Sequence, residues 1–241
     1  EDLESIFGYS YLWNNVEKEV PEHNSHAIVS ILDKTKSQVE KFSLMTMINA
    51  SILRTTPDAI GVYQGSQTLL LPKGLYIDFA DFLLEGNLPV ILWIYIGLIG
   101  SEEGKNSLYT FGMKDFGKKE IEIINSPMSR SDLHDFILPV LNYILAYDVT
   151  LKNGETIGFS EEQKIKITES KAVYLDGNSL KLDQTTFLTW KNFKELNDIN
   201  LQISKIESSP IPPGFFENLD IKTLSLCSKE KIQNAFSYKF S

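Results

Sequence analysis

The sequence predicts an α+β fold: a mixed, largely antiparallel sheet, three main helices and a small β-rich C-terminal appendage. Three observations carry this reading. An uncharged apolar run, Leu88–Ile99 (LPVILWIYIGLI), is bounded by Gly86-Asn87 and Gly100. Apolar spacing switches between period two and helical period in the order β-α-β-α-β-β-β-α. Beyond Tyr147 the chain turns to short strands, with Asn153-Gly154 and Asp176-Gly177 as hairpin-turn dipeptides. The expected organisation is an α+β domain over 1–184, with an aromatic N-terminal arm, and a subdomain over 185–241.

The apolar run is too short to span a bilayer, which takes about 18–20 residues. Its β-branched and aromatic composition (Val90, Ile91, Trp93, Ile94, Tyr95, Ile96) suits a pleated surface. A strand apolar on both faces has both faces covered, so the run is expected to be the central strand.

The remaining elements follow in chain order. Residues 1–22 are acidic and aromatic (Phe7, Tyr9, Tyr11, Leu12, Trp13). They read as an arm packed on the domain or as an exposed aromatic patch. His26–Asp33 (HAIVSILD) alternates as a first strand, with Ala27, Val29 and Ile31 on one face. Ser37 and Glu40 form a capping box that starts a helix carrying Phe42, Met45, Ile48 and Ile52. Ala59–Tyr63 is a short strand, and Gly74–Glu85 a second helix with Gly86 as C-cap. Ser107–Phe111 is the hairpin partner of the apolar run, and Glu120–Ile124 is a further strand. Leu133, Phe136, Ile137, Val140, Leu141, Ile144 and Leu145 define a third helix, capped by Ser129; Pro139, off that stripe, removes one hydrogen bond and is expected to kink it. Gln163–Thr168 alternates with one solvated face. Leu201–Ile206, the proline cluster Ser208–Gly214 and Ile221–Leu226 belong to the tail.

Composition bounds the function. With 42% hydrophobic and 23% charged residues, the chain of 241 residues can build a packed core. A net charge of −9 argues against nucleic acid, because binding to phosphates requires a basic face. No membrane segment and no signal peptide is read, and the single cysteine, Cys227, fits a cytoplasmic protein without disulfides. The chain begins at Glu1 rather than Met, which is expected where an upstream piece has been removed.

No motif points to a catalyst, cofactor or metal. His23 and His26 project to opposite faces at the start of a strand, and His134 reads as a solvated flank of a helix start. There is no G-x-S-x-G, and Gly61–Ser66 lacks the lysine and spacing of a phosphate loop. Glu102-Glu103 and Glu161-Glu162 read as solvated pairs, and Glu120 and Glu122 as the exposed face of an amphipathic strand. The aromatic and polar residues Trp13, Tyr63, Gln64, Trp93, Tyr109 and Thr110 are the candidate binding residues, with core packing the competing reading for Trp93.

At several of these segments the chain resembles a known family, the bacterial domain-of-unknown-function 4261 family. The resemblance runs through His26–Ile31, Gly61-Val-Tyr63, Leu88–Trp93, Ser107–Gly112, Phe116-Gly117, Lys119–Ile123, Asp132–Tyr147, Asn153–Ser160 and Lys164–Ile167, over roughly 11–183. It implies a fold but no activity and no site residue. The expected function is that of a non-catalytic, accessory or immunity-type domain that binds another protein, a basic one by charge. The alternative is an enzyme or small-ligand binder with a pocket near Tyr63, Trp93 and Tyr109. A structural role in an oligomer, exchanging the Ser208–Gly214 tail, is a third reading.

Overall fold

The structure, a computed structural model, describes residues 3–101, 104–160 and 163–183. The acidic pairs at 102–103 and 161–162, Cys227, and the tail elements at 201–206, 208–214 and 221–226 lie outside these residues, as does the expected appendage. The chain divides into two compact units, the first running to Tyr95 and the second starting at Ile96.

The first unit begins with two short helices, α1 (Leu3–Tyr9) and α2 (Val16–Glu19). Ile6, Trp13, Val16, Val20 and Leu70 form one buried cluster, so the arm is held by its own apolar side chains. Tyr9 and Tyr11 stay partly exposed, each meeting Tyr95 edge-on. Next comes α3 (Gln38–Thr55), and both arms of its capping box are made: Ser37 Oγ accepts from Glu40 N–H, and the Glu40 carboxylate accepts from Ser37 N–H. A two-stranded sheet pairs β1 (Gly61–Gln64) with β2 (Leu69–Pro72), antiparallel. The leucine run of β2 is a strand that its sequence does not announce, because it is short and apolar throughout. The predicted second helix is α4 (Lys73–Ala80), continued by a 3-10 segment over Asp81–Glu85 and closed by Gly86 at φ 82°.

Two predicted strands are corrected here. His26–Asp33 joins no sheet, and its alternation survives only as exposure: Val29 and Ile31 are half-buried, while Ile28 and Leu32 face solvent. The apolar run is not a central strand. Pro89 caps a one-turn helix, α5 (Val90–Trp93), and only from Tyr95 does the chain become extended, as β3 (Tyr95–Gly100). All four α5 side chains are buried, so complete burial overrides the strand preference of Val90 and Ile91. Among the described residues, strand β3 lies at an edge of its sheet, with burial fading towards Ile99 and Gly100.

The second unit is built on a six-stranded sheet in the order β3-β4-β5-β8-β7-β6. Its further strands are β4 (Asn106–Phe111), β5 (Ile121–Ser126), β6 (Thr156–Ser160), β7 (Gln163–Lys171) and β8 (Asn178–Asp183). The pairs β4/β5, β6/β7 and β7/β8 are antiparallel, and β5/β8 is parallel. The fold class is therefore α+β with a mixed, largely antiparallel sheet. Register places Leu108 opposite Ile123, Ile121 opposite Leu180, and Ile167 opposite Leu182, so these side chains share one face. Helix α6 (Arg130–Ala146) packs on β4, and its predicted stripe from Leu133 to Leu145 is buried. The helix runs through Pro139, whose missing N–H leaves the carbonyl of Asp135 on the exposed side without its helical donor. Asn153-Gly154 does not join two strands. It leads into β6 and docks beside β7, with Gly154 N–H donating to the Ile167 carbonyl.

Gly61 sits where any side chain would collide. A Cβ there would lie 2.3 Å from the Leu71 carbonyl oxygen and 2.6 Å from the Trp13 ring. Gly61→Ala is expected to cost about 1–3 kcal/mol of unfolding free energy in denaturant titration, the range for overpacking.

Candidate functional site

The face of the six-stranded sheet opposite the apolar one carries a polar row. Tyr109 on β4 pairs with Glu122 on β5, Glu122 with Lys181 on β8, and Lys181 with Thr168 on β7. Glu122 is fully buried, which corrects the expectation of an exposed acidic face. The reason is the segment 172–177 between β7 and β8, which folds back over the row. Its Val173 and Tyr174 N–H groups donate to the Glu122 carboxylate at 3.0 and 2.8 Å. Ser179 Oγ donates at 2.8 Å, and Lys181 Nζ completes the set as a close ion pair. The ammonium also donates to Ser179 Oγ and to the Lys171 carbonyl, so all three of its hydrogens are used.

Burial alone would raise the pKa of Glu122. The Lys181 ammonium, the two backbone N–H groups and Ser179 outweigh it and hold the carboxyl below its ordinary value. The Tyr174 ring stacks on Tyr109 at 5.7 Å. Tyr109 in turn lies over Gly97, where a Cβ would sit 2.1 Å from its ring.

Glu120 is also buried, again against expectation. It closes the turn between β4 and β5. Gly112 N–H donates to Oε1 at 3.0 Å and Lys114 N–H at 3.3 Å, and Thr110 Oγ donates to Oε2 at 2.8 Å. Thr110 Oγ accepts in turn from Ile121 N–H at 2.8 Å. Here burial wins over these donors, and the carboxyl is held above its ordinary value.

Beside Glu120 lies an open depression of about 450 Å³, walled by Phe111, Lys114, Val173, Tyr174, Leu175 and Asp176. Val173 is 57% exposed although its own amide is pinned beneath it. The pinned loop thus offers an apolar side chain and an aromatic ring between a basic and an acidic group.

Of the candidate binding residues, Tyr109 and Thr110 belong to this constellation. Trp13, Tyr63, Gln64 and Trp93 belong to the first unit. Trp13 is buried, with Nε1 donating to Glu19 at 2.8 Å. Trp93 is a core residue, 1% exposed, whose Nε1 donates to Thr46 Oγ1 at 2.9 Å and whose ring meets Phe42 edge-on. Gln64 is buried and Tyr63 is 42% exposed. His134, expected to be solvated, is buried on α6 because it lies beside the apolar stripe. Among the described residues no three His, Cys, Asp or Glu side chains converge as metal ligands, and no helix is long and apolar enough to cross a membrane.

The segment that carries this site is one the comparisons find. Residues 109–183 match the family described as Domain of unknown function (DUF4261). The match opens at Tyr109 and closes at Asp183, the end of β8, so it spans the polar row, both carboxylates and the pinned loop. It is narrower than the resemblance expected from the sequence, whose segments at 26–31, 61–63 and 88–93 fall outside it. Neither a curated protein nor a solved structure matches the chain.

The two carboxylates carry opposite pH signs. Stability from Glu122 is present above the unfolded pKa near 4.5 and is lost as pH falls through the lower folded value. Glu120 opposes folding as pH rises from near 4.5 through its higher folded value. Glu122→Gln is therefore expected to lose about 3 kcal/mol at neutral pH, as a broken buried pair does, and to flatten the acid limb. Glu120→Gln can keep the turn by donating to Thr110, and should stay within about 1 kcal/mol of the parent at neutral pH. Chemical denaturation from neutral pH to about pH 3 distinguishes the two.

Proposed function

We propose that the chain is a non-catalytic binding domain that recognises another protein through the pinned 172–177 loop and the depression beside it. The observation that carries this reading is the exposure of Val173 above an amide fixed by Glu122. An apolar side chain on a loop ordered in advance loses little entropy on binding, which is how anchor residues concentrate affinity. Lys114 and Asp176 supply the polar rim that such an anchor uses to exclude water. Both buried carboxylates spend their lone pairs on the protein's own donors, which suits a scaffold for a surface. A net charge of −9 favours a basic partner, and the single cysteine favours a cytoplasmic setting.

The alternative reading, a small-ligand site, draws on the Glu120 carboxyl in the depression wall, held above its ordinary pKa.

Capture from source-cell lysate with the parent chain and with Val173→Asp tests the proposal. A stoichiometric partner retained by the parent at moderate salt should weaken by about 2 kcal/mol or more with the variant. Equal recovery on both baits, or no partner at low salt over several bait concentrations, would overturn it. Ligand-induced melting shifts would then favour the small-ligand reading.

A further inference from the structure

The segment around His26–Leu32 has the sequence of a strand and the exposure of an interface. Among the described residues, no backbone–backbone hydrogen bond involves residues 24–36. The chain runs from a turn at Pro21-Glu22 to a bend at Lys34–Lys36, where Asp33 accepts from the Thr35 N–H and hydroxyl. Between them, Val29 and Ile31 are half-buried, whereas Ile28 and Leu32 are 84% and 98% exposed. Every position from Asn24 to Leu32 is free of carboxylate, ammonium and guanidinium groups. A row of unpaired peptide groups flanked by β-branched residues is a template for another strand.

We propose that this segment pairs antiparallel with the same segment of a second copy, making a two-fold dimer centred on Val29. The pattern is self-complementary about that residue. With Val29 opposite Val29, the exposed Ala27 meets the half-buried Ile31. On the outer face Ile28 lies opposite Ser30, which sets it diagonal to the Ile28 and Leu32 of the other copy, within reach of their side chains. Four of the most exposed apolar side chains then cover one another. Charge agrees with this direction. The turn that precedes the segment carries Glu22, and the end that follows carries Asp33, Lys34 and Lys36, which leaves it basic by one charge, so antiparallel pairing sets Glu22 of each copy opposite Lys36 of the other. Parallel pairing would set like ends together. The contact is isologous and closes on itself, so it makes a dimer rather than a filament. A two-stranded ribbon is marginal alone, but each strand here already rests its inner face on a folded unit.

Sedimentation of the full chain over a concentration series tests this. The parent should show a monomer–dimer equilibrium. Ile28→Asp, which sets two carboxylates diagonal to each other at the two-fold axis, should weaken it by at least about tenfold. Glu22→Lys and Lys36→Glu should each weaken it by about threefold, and the double swap should restore it. Val29→Cys should give a disulfide-linked dimer, since directly opposed residues have the Cα spacing a disulfide needs, against a parent that holds only Cys227. A parent that sediments as a monomer up to about 1 mM overturns the proposal. So does a dimer indifferent to Ile28→Asp and to the charge swap. The site used lies in the first unit, so failure here leaves the loop proposal standing.

Discussion

A single buried carboxylate organises the second unit. Glu122 sits fully enclosed on β5, and the groups that neutralise it come from the loop above it and from β8 beside it. Left unpaired, a buried charge of this kind costs several kcal/mol, so every donor around it is constrained in place. The consequence is geometric. Because Val173 and Tyr174 give their amides to Glu122, the loop cannot lift from the sheet without taking two donors from the buried charge. Tyr174 is thereby held against Tyr109, and Tyr109 has room only because residue 97 is glycine. The shape of the depression follows from that chain of contacts.

Much of this was legible in pieces. The alternation correctly sets Ile121 and Ile123 on one face of β5 and Glu122 on the other, whereas Glu120 lies before the strand, in the turn. The inference from "opposite the core" to "in solvent" failed, because it assumes that nothing covers the second face. A signal was present in the sequence. Ser179 and Lys181 alternate with Leu180 and Leu182 just as the glutamates alternate with isoleucines, so two amphipathic strands carry complementary charge on their polar faces. Pairing them requires knowing that β5 and β8 are neighbours, which local pattern cannot reveal. Helices were easier, since Ser37-x-x-Glu40 and the stripe on α6 specify their own ends and faces through contacts a few residues apart.

The first unit shows the converse error. Leu88–Ile94 is buried nearly throughout, and burial on all sides removes the periodicity that separates strand from helix. Pro89, at the N-cap of α5, lacks the N–H that a strand ladder needs, and Trp93 donates to Thr46 on α3. The candidate tryptophans proved to be packing residues with satisfied N–H groups, whereas Tyr109 and Thr110 lie where the polar row and the turn of Glu120 meet.

The parallel seam between β5 and β8 bears on how the second unit is assembled in time. On one side of it lies the β4/β5 hairpin and on the other the β6-β7-β8 meander, and both are made of pairings between neighbours in the chain. The seam itself joins residues roughly sixty positions apart, with α6 in between. Closing it carries the loop-closure entropy of that whole span, so it is the slow, cooperative event expected of non-local strand pairing. The ion pair of Glu122 and Lys181 forms across this seam and in no other place, so the charge finds its partner only when the sheet is complete.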